Sequence, residues 1–161
     1  MTAKVDTPLD TLERELVITR LIDAPRELVF RAWTESAQLA KWFGPKDYPA
    51  ISAEADARQG GRWRAALRGT EDGRLLTLGG TFREVVPPDR LVFTFAWDEE
   101  GERGLETVVT VTFAEQGRKT LMTFRQTPFQ SAGERDGHRG GWTSAFERLD
   151  EQVASMARTQ Q

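Results

Sequence analysis

Between Tyr48 and Thr127 the chain repeats one pattern, short runs of β-branched and aromatic residues closed by turn signals. The runs are PAISAEADAR, RWRAALRG, RLLTLGGTFREVV, RLVFTFAWD, LETVVTVTFAE and KTLMTFRQT. Turns fall at Gly60-Gly61, Asp72-Gly73, Pro87-Pro88-Asp89, Glu100-Gly101 and Gln116-Gly117. That spacing is a meander. Gly79-Gly80 stand inside the third run, where a strand bulges or bends sharply. A long sheet so bent can curl around a helix.

Upstream, ELVITRLIDAP reads as a strand over about 15–23. Pro25 suits the first turn of a helix, with Asp23 as its expected cap, and Leu28, Val29, Ala32 and Trp33 recur at helical spacing. Thr34 is the expected cap of a second short helix bearing Leu39, Trp42 and Phe43, which Gly44-Pro45 ends.

Downstream, GERDGHRGGWTSAFERL poses a conflict. Trp142, Ala145, Phe146, Leu149, Val153 and Met156 follow the spacing of an apolar helix face. Ser131 and Glu134 stand three apart, as a capping box requires. Both features favour one helix from about Ser131 to Ala157. Yet Gly133, Gly137, Gly140 and Gly141 fall in its first half, and each glycine costs a helix about 1 kcal/mol relative to alanine. Gly137 and Gly141 would share a face beside the apolar stripe, leaving volume over the sheet. The alternative, a loop through 132–141 before a shorter helix, stays open on these grounds.

The chain has 161 residues, enough for one domain with a core and short for two. The first twelve residues are polar, so 1–12 is expected to be a flexible segment before a single domain over 13–158. Net charge is -3 and the basic residues are scattered, which disfavours nucleic acid as a partner. No apolar run has the length of a membrane span and no apolar leader core opens the chain, so no membrane partner is expected. The absence of cysteine excludes disulfides, thiol catalysis and cysteine zinc sites, and fits a cytoplasmic location.

Five phrases, VITRLIDAPRELVFRAWTESAQLAKWFGP, DARQGGRW, GTFREVVPPDRLVFTFAW, TVVTVTF and GWTSAFERL, occur in an order and spacing that carry a resemblance. Together they resemble the activator of ninety-kilodalton heat-shock-protein ATPase homologue-like family, over roughly 15–157. That family lies in the SRPBCC superfamily with START domains, the birch pollen allergen and polyketide cyclases. The resemblance implies an α+β helix-grip fold, a curved seven-stranded antiparallel sheet wrapped around a long C-terminal helix in the order β-α-α-β6-α. It also implies that the glycine-bearing stretch is helical and that an apolar cavity lies between helix and sheet. The chain departs from the family pattern at Ser36, where many members carry proline, and at Gln126, where many carry histidine.

Few residues carry a recognisable chemical signature. His138 is the only histidine, no nucleophile elbow surrounds a serine, and no phosphate-binding or dinucleotide-binding glycine motif is present. One histidine without cysteine leaves only carboxylates for a metal, so no metal and no cofactor is expected. The acidic run Asp98 to Glu102 reads as a charged hairpin loop. His138 itself reads as a solvated helix residue. If the cavity were enzymatic, Glu84, His138 and Gln126 would be the groups to suspect, with Glu84 facing inward if Gly80 and Phe82 do.

The expected function is binding of a small apolar or amphipathic ligand. Its expected wall is Trp42, Trp63, Phe82, Phe93, Phe95, Trp97, Met122, Phe124, Gly137, Gly141, Trp142, Ala145 and Phe146. Two alternatives remain at this point: a module that docks on a chaperone, and a cyclase-like enzyme using the same cavity. A homodimer is also left open.

Overall fold

The structure is a computed structural model that describes residues 14–99 and 102–159. Its strands are one-sided because their side chains alternate. In Thr107–Gln116 (β7) the residues Thr107, Val109, Val111 and Phe113 are buried, while Val108, Thr110 and Thr112 between them are half-exposed. The other strands are Leu16–Ile22 (β1), Ala50–Ala55 (β2), Arg62–Arg68 (β3), Leu75–Val86 (β4), Arg90–Glu99 (β5), the two-residue Glu102–Arg103 (β6) and Lys119–Thr127 (β8). Arg26–Thr34 (α1) and Ser36–Trp42 (α2) follow the first strand, and Ala132–Thr159 (α3) closes the chain.

Seven strands pair in the order β1-β8-β7-β5-β4-β3-β2, all antiparallel, and β6 pairs only with β5. The chain leaves β1 at one edge, crosses to the opposite edge through α1 and α2, and meanders back until β8 meets β1. This is the expected helix-grip order. The 28-residue α3 is one helix, so the glycine-bearing stretch is helical. The expected turn at Glu100-Gly101 and the expected flexible segment 1–12 lie outside the described residues.

The caps differ from expectation. Pro25, extended at ψ 151°, precedes α1 without a side-chain cap, so Asp23 does not fill that role. Thr34 completes α1, its hydroxyl donating back to the Phe30 carbonyl at 2.9 Å, and Glu35 stands in the cap position of α2. A side chain satisfied by its own preceding turn cannot cap the next helix. At α3 the expected residues do act: Ser131 Oγ accepts the Glu134 amide at 3.1 Å. Glu134 Oε1 reaches back one residue further than a standard box, to the Gln130 amide at 2.9 Å.

At the paired glycines of β4 the neighbouring backbones come close. A Cβ on Gly80 would lie 1.9 Å from the Thr94 carbonyl oxygen, so only a bare backbone fits. There the Thr81 amide donates to Thr94 Oγ1 (2.9 Å), and the Thr94 carbonyl accepts the Trp63 indole N–H (2.9 Å). The bulge lies further along, between Phe82 and Glu84. It reverses the alternation: Val85 packs inward, whereas Glu84 is exposed and pairs with Arg90 at 3.1 Å. The expectation of an inward Glu84 is therefore corrected.

One end of the sheet's concave face is filled. Trp33 of α1 packs edge-on against Trp42 (centroids 4.8 Å apart) and lies against Phe93, Phe124, Trp142 and Phe146. Phe82 contacts Phe93, which contacts Trp63. Met122 is fully buried in the same core. Trp33 Nε1 finds no partner there.

Candidate functional site

The two halves of α3 are built for different work. Trp142, Ala145, Phe146, Leu149, Val153 and Met156 are buried against sheet and helices. In the first half, a Cβ built on Gly137, Gly140 or Gly141 meets nothing within 4 Å. Gly137 and Gly141, one turn apart, face a cavity of about 420 Å³, while Gly140 is exposed and does not line it. A volume of that size is in the range of small-molecule sites.

Three surfaces enclose the cavity. The sheet supplies Leu67 from β3, Leu76 and Leu78 from β4, and Phe95 and Trp97 from β5. The segment after α2 supplies Phe43, Gly44, Pro45 and Tyr48, and α3 supplies Glu134, Gly137, His138, Gly141, Trp142 and Ala145. Exposed Glu134 and Gly137 mark where the cavity meets solvent. Strand alternation explains the sheet wall: Leu76 and Leu78 share a face, as do Phe95 and Trp97.

The segment after α2 is held from α3. Arg148 Nη1 donates to the carbonyls of Trp42, Phe43 and Gly44 at 3.1, 2.9 and 2.8 Å, and Nη2 donates to Lys41 at 3.0 Å. One guanidinium thus satisfies the carbonyls that α2 leaves open at its C-terminus. Burial lowers the Arg148 pKa from the ordinary arginine value, with Glu151 acting against it. The Lys46 amide adds a bond to Ser144 Oγ at 3.0 Å. Gly44 turns the chain at φ +86°, and a Cβ there would strike the Tyr48 carbonyl at 2.4 Å.

The polar groups at the cavity already have protein partners. Trp97 Nε1 donates to His138 Nε2 at 3.0 Å. An indole nitrogen only donates, so His138 Nε2 accepts, and Nδ1 carries the proton toward the Glu134 carbonyl 3.0 Å away. The imidazole also lies 4.8 Å, centroid to centroid, from Phe129. His138 is therefore a half-buried, fully engaged wall residue and not the expected solvated one. The Tyr48 hydroxyl donates to Asp72 at 2.5 Å, and Asp72 also accepts the Arg74 amide at 2.9 Å. This bonding holds the Asp72 carboxyl below its usual value, and the bond to Asp72 together with desolvation raises Tyr48 above its own. Beneath the wall, Trp142 Nε1 donates to Gln126 Oε1 at 2.8 Å, and Gln126 Nε2 donates to Thr107 Oγ1 at 2.9 Å. The Thr107 hydroxyl passes its proton bond to the Phe95 carbonyl at 3.2 Å.

Of the expected wall, Phe95, Trp97, Gly137, Gly141, Trp142 and Ala145 border the cavity. Trp42, Trp63, Phe82, Phe93, Met122, Phe124 and Phe146 do not; they are core packing. All seven are buried, but the buried face is longer than the cavity, and Trp33 packs into the rest. Among the catalytic suspects only His138 lines the cavity. Glu84 is exposed at the bulge, and Gln126 is buried as a structural acceptor. Phe43, Gly44, Pro45, Tyr48, Leu67, Leu76, Leu78 and Glu134 line the cavity without having been expected there. Alternation could have found the leucines; no local signal marks the segment after α2. Among the described residues no group of three or more His, Cys, Asp or Glu side chains is placed to hold a metal ion. No described helix is long and apolar enough to cross a membrane.

The family model described as Activator of Hsp90 ATPase homolog 1-like protein matches residues 23–154. Protein CV1439 from Chromobacterium violaceum is 26% identical, with TM-score 0.79 over 87% of this chain and 97% of that one. The AHSA1 (SPO3351) protein from Silicibacter pomeroyi superposes with TM-score 0.80 at 23% identity, over 88% and 99% of the two chains. Protein NE0264 from Nitrosomonas europaea gives TM-score 0.76 at 24% identity, over 91% and 97%. These likenesses carry the fold. No curated protein matches the chain in sequence.

Proposed function

This chain belongs to the Activator of Hsp90 ATPase homolog 1-like family, and on that footing we propose that it binds a small apolar or amphipathic molecule between α3 and the sheet. The observation that carries the proposal is the bare face of α3. Gly137 and Gly141 lower helix propensity, yet the space above them is not filled by any neighbour. Leaving apolar walls unfilled forfeits packing that Leu67, Leu78, Phe95 and Trp142 would otherwise gain. A ligand recovers it.

Binding then works by exclusion of water from apolar surface, within a rim set by Arg148 and Ser144. The cavity's side-chain N–H and O–H groups are spent on Asp72, Glu134, His138 and Gln126, so orientation of the ligand comes mainly from shape. The cyclase-like alternative gains nothing from this arrangement, because Glu84 and Gln126 stand away from the cavity and both His138 ring nitrogens are engaged. The chaperone-docking alternative would need one apolar patch, whereas the exposed large apolar residues among those described are spread over the chain: Val17 and Leu21 on β1, Ile51 on β2, Leu75 and Val86 at the two ends of β4, and Leu105 between β6 and β7. Native mass spectrometry of the purified protein, before and after denaturing extraction, tests the proposal. The expected result is a co-purifying small molecule, or stoichiometric uptake of N-phenyl-1-naphthylamine by protein that carries none. A protein that neither carries a molecule nor takes up the dye would refute it.

A further inference from the structure

We infer that the cavity takes an amphiphile whose head is cationic, an amine or quaternary ammonium, and discriminates against carboxylate amphiphiles. The inference rests on the ligand-binding proposal above and adds the head-group chemistry. A buried or half-buried carboxylate needs donors or a cation. The side-chain donors on the wall are the Tyr48 hydroxyl, the Trp97 and Trp142 indoles and the His138 ring N–H, and each is already given to a protein acceptor. No lysine or arginine lines the cavity among the described residues. A carboxylate head would enter without a partner.

A cationic head meets the opposite situation. Among the described residues Glu134 is the one carboxylate on the wall, it is exposed at the cavity's open side, and the Gln130 amide occupies one of its oxygens. A carboxylate has about four acceptor sites, so capacity remains for an ammonium. Trp97, on the same side of the cavity as Glu134, adds an aromatic face of the kind that attracts cations. Two terms oppose: the Arg148 guanidinium stands at the far rim, on the carbonyls of Phe43 and Gly44, and nearer Glu134 the N-terminus of α3 carries the positive end of a helix dipole, about half a unit charge. Glu134, in the first turn, outweighs it with a full unit.

Three competitors with one tail test the inference: decyltrimethylammonium, decanol and decanoate, each displacing N-phenyl-1-naphthylamine at pH 8 and low salt, below micelle formation. Decyltrimethylammonium is expected to displace the dye at a concentration at least tenfold below that of decanoate, with decanol between. Raising salt should narrow the gap. Glu134→Gln keeps an acceptor for the Gln130 amide and should remove most of the preference. Glu147→Gln, the same charge change on the exposed part of α3 away from the cavity, should leave it. Equal displacement by all three, or tighter displacement by decanoate, overturns the inference while the binding proposal stands. So does an equal loss of preference in both variants, because the effect would then be the field of the whole surface. If neither dye nor any competitor binds, the binding proposal fails and the inference falls with it.

Discussion

Gly141→Leu separates an open cavity from a packed core. A Cβ at Gly141 meets nothing within 4 Å, and its φ lies outside the left-handed region, so the new side chain enters without backbone strain. In a helix it leans toward the N-terminus, over Gly137, which also has open space. The helix should gain up to about 1 kcal/mol from propensity. Gly141 is half-buried, so roughly half of the 1.5–3 kcal/mol for burying a leucine applies, about 1 kcal/mol. The sum is about 1.5–2 kcal/mol of added stability, which for a chain of this size raises Tm by roughly 3–8 °C.

The same atoms occupy the ligand's place, so affinity for N-phenyl-1-naphthylamine should fall at least about tenfold, or 1.4 kcal/mol. Gly140→Leu is the internal control. It is a helical glycine with open space that does not line the cavity, so it should gain propensity and leave dye affinity unchanged. Thermal melts and dye titrations of the three proteins decide the matter. Destabilisation by Gly141→Leu with dye affinity intact would refute the reasoning, since overpacking, which costs typically about 1–3 kcal/mol, would then describe the site.

Gln126→Leu should destabilise the fold by about 1–3 kcal/mol in denaturant melts, because the buried Trp142 indole N–H loses its acceptor and Thr107 Oγ1 its donor; a change within about 0.5 kcal/mol would count it as a neutral surface-like site. Tyr48→Phe should lower Tm most near neutral pH. The lowered Asp72 pKa contributes stability above the ordinary carboxylate value that is lost as pH falls through the lowered one. The raised Tyr48 pKa contributes stability below about pH 10 that is lost as pH rises through it. Melts at acid, neutral and alkaline pH should therefore show the difference between parent and variant shrinking at both ends, and a difference constant with pH would contradict the bond's role.

Much of the architecture is legible from local pattern. Paired turn residues and alternating runs give six strands of the meander, and the spacing from Trp142 to Met156 gives the buried face of α3. What escapes local pattern is set by geometry at a distance. Asp23 and Thr34 have the chemistry of caps, but the chain enters α1 extended through Pro25 and Thr34 turns back on Phe30. Glu84 follows Phe82 by two, yet one bulge residue moves it to the other face. The aromatic residues of β5 and β8 all point inward. Whether they wall a cavity or fill a core depends on Trp33, inserted from α1 between Trp42 and Phe124.

The same division accounts for how a wall can stay in place beside empty volume. Ala145 closes one side of the cavity, and Arg148, three residues on, reaches from the same helix to the carbonyls of Trp42, Phe43 and Gly44. Ser144 holds the Lys46 amide from the same turn. A ligand pressing on Phe43 or Pro45 therefore presses on a segment tied by charged hydrogen bonds to the helix that bears Gly137 and Gly141. Bonds of this kind are stronger than neutral ones, and these three carbonyls, like that of Lys41, have no other side-chain donor described for them. The opposite rim has lighter ties: Trp97 is joined to α3 by a single bond to His138, and Glu134 is exposed. On the binding reading proposed above, size selection would belong to the Phe43–Tyr48 wall, and admission of a ligand to the side where Trp97, His138 and Glu134 meet.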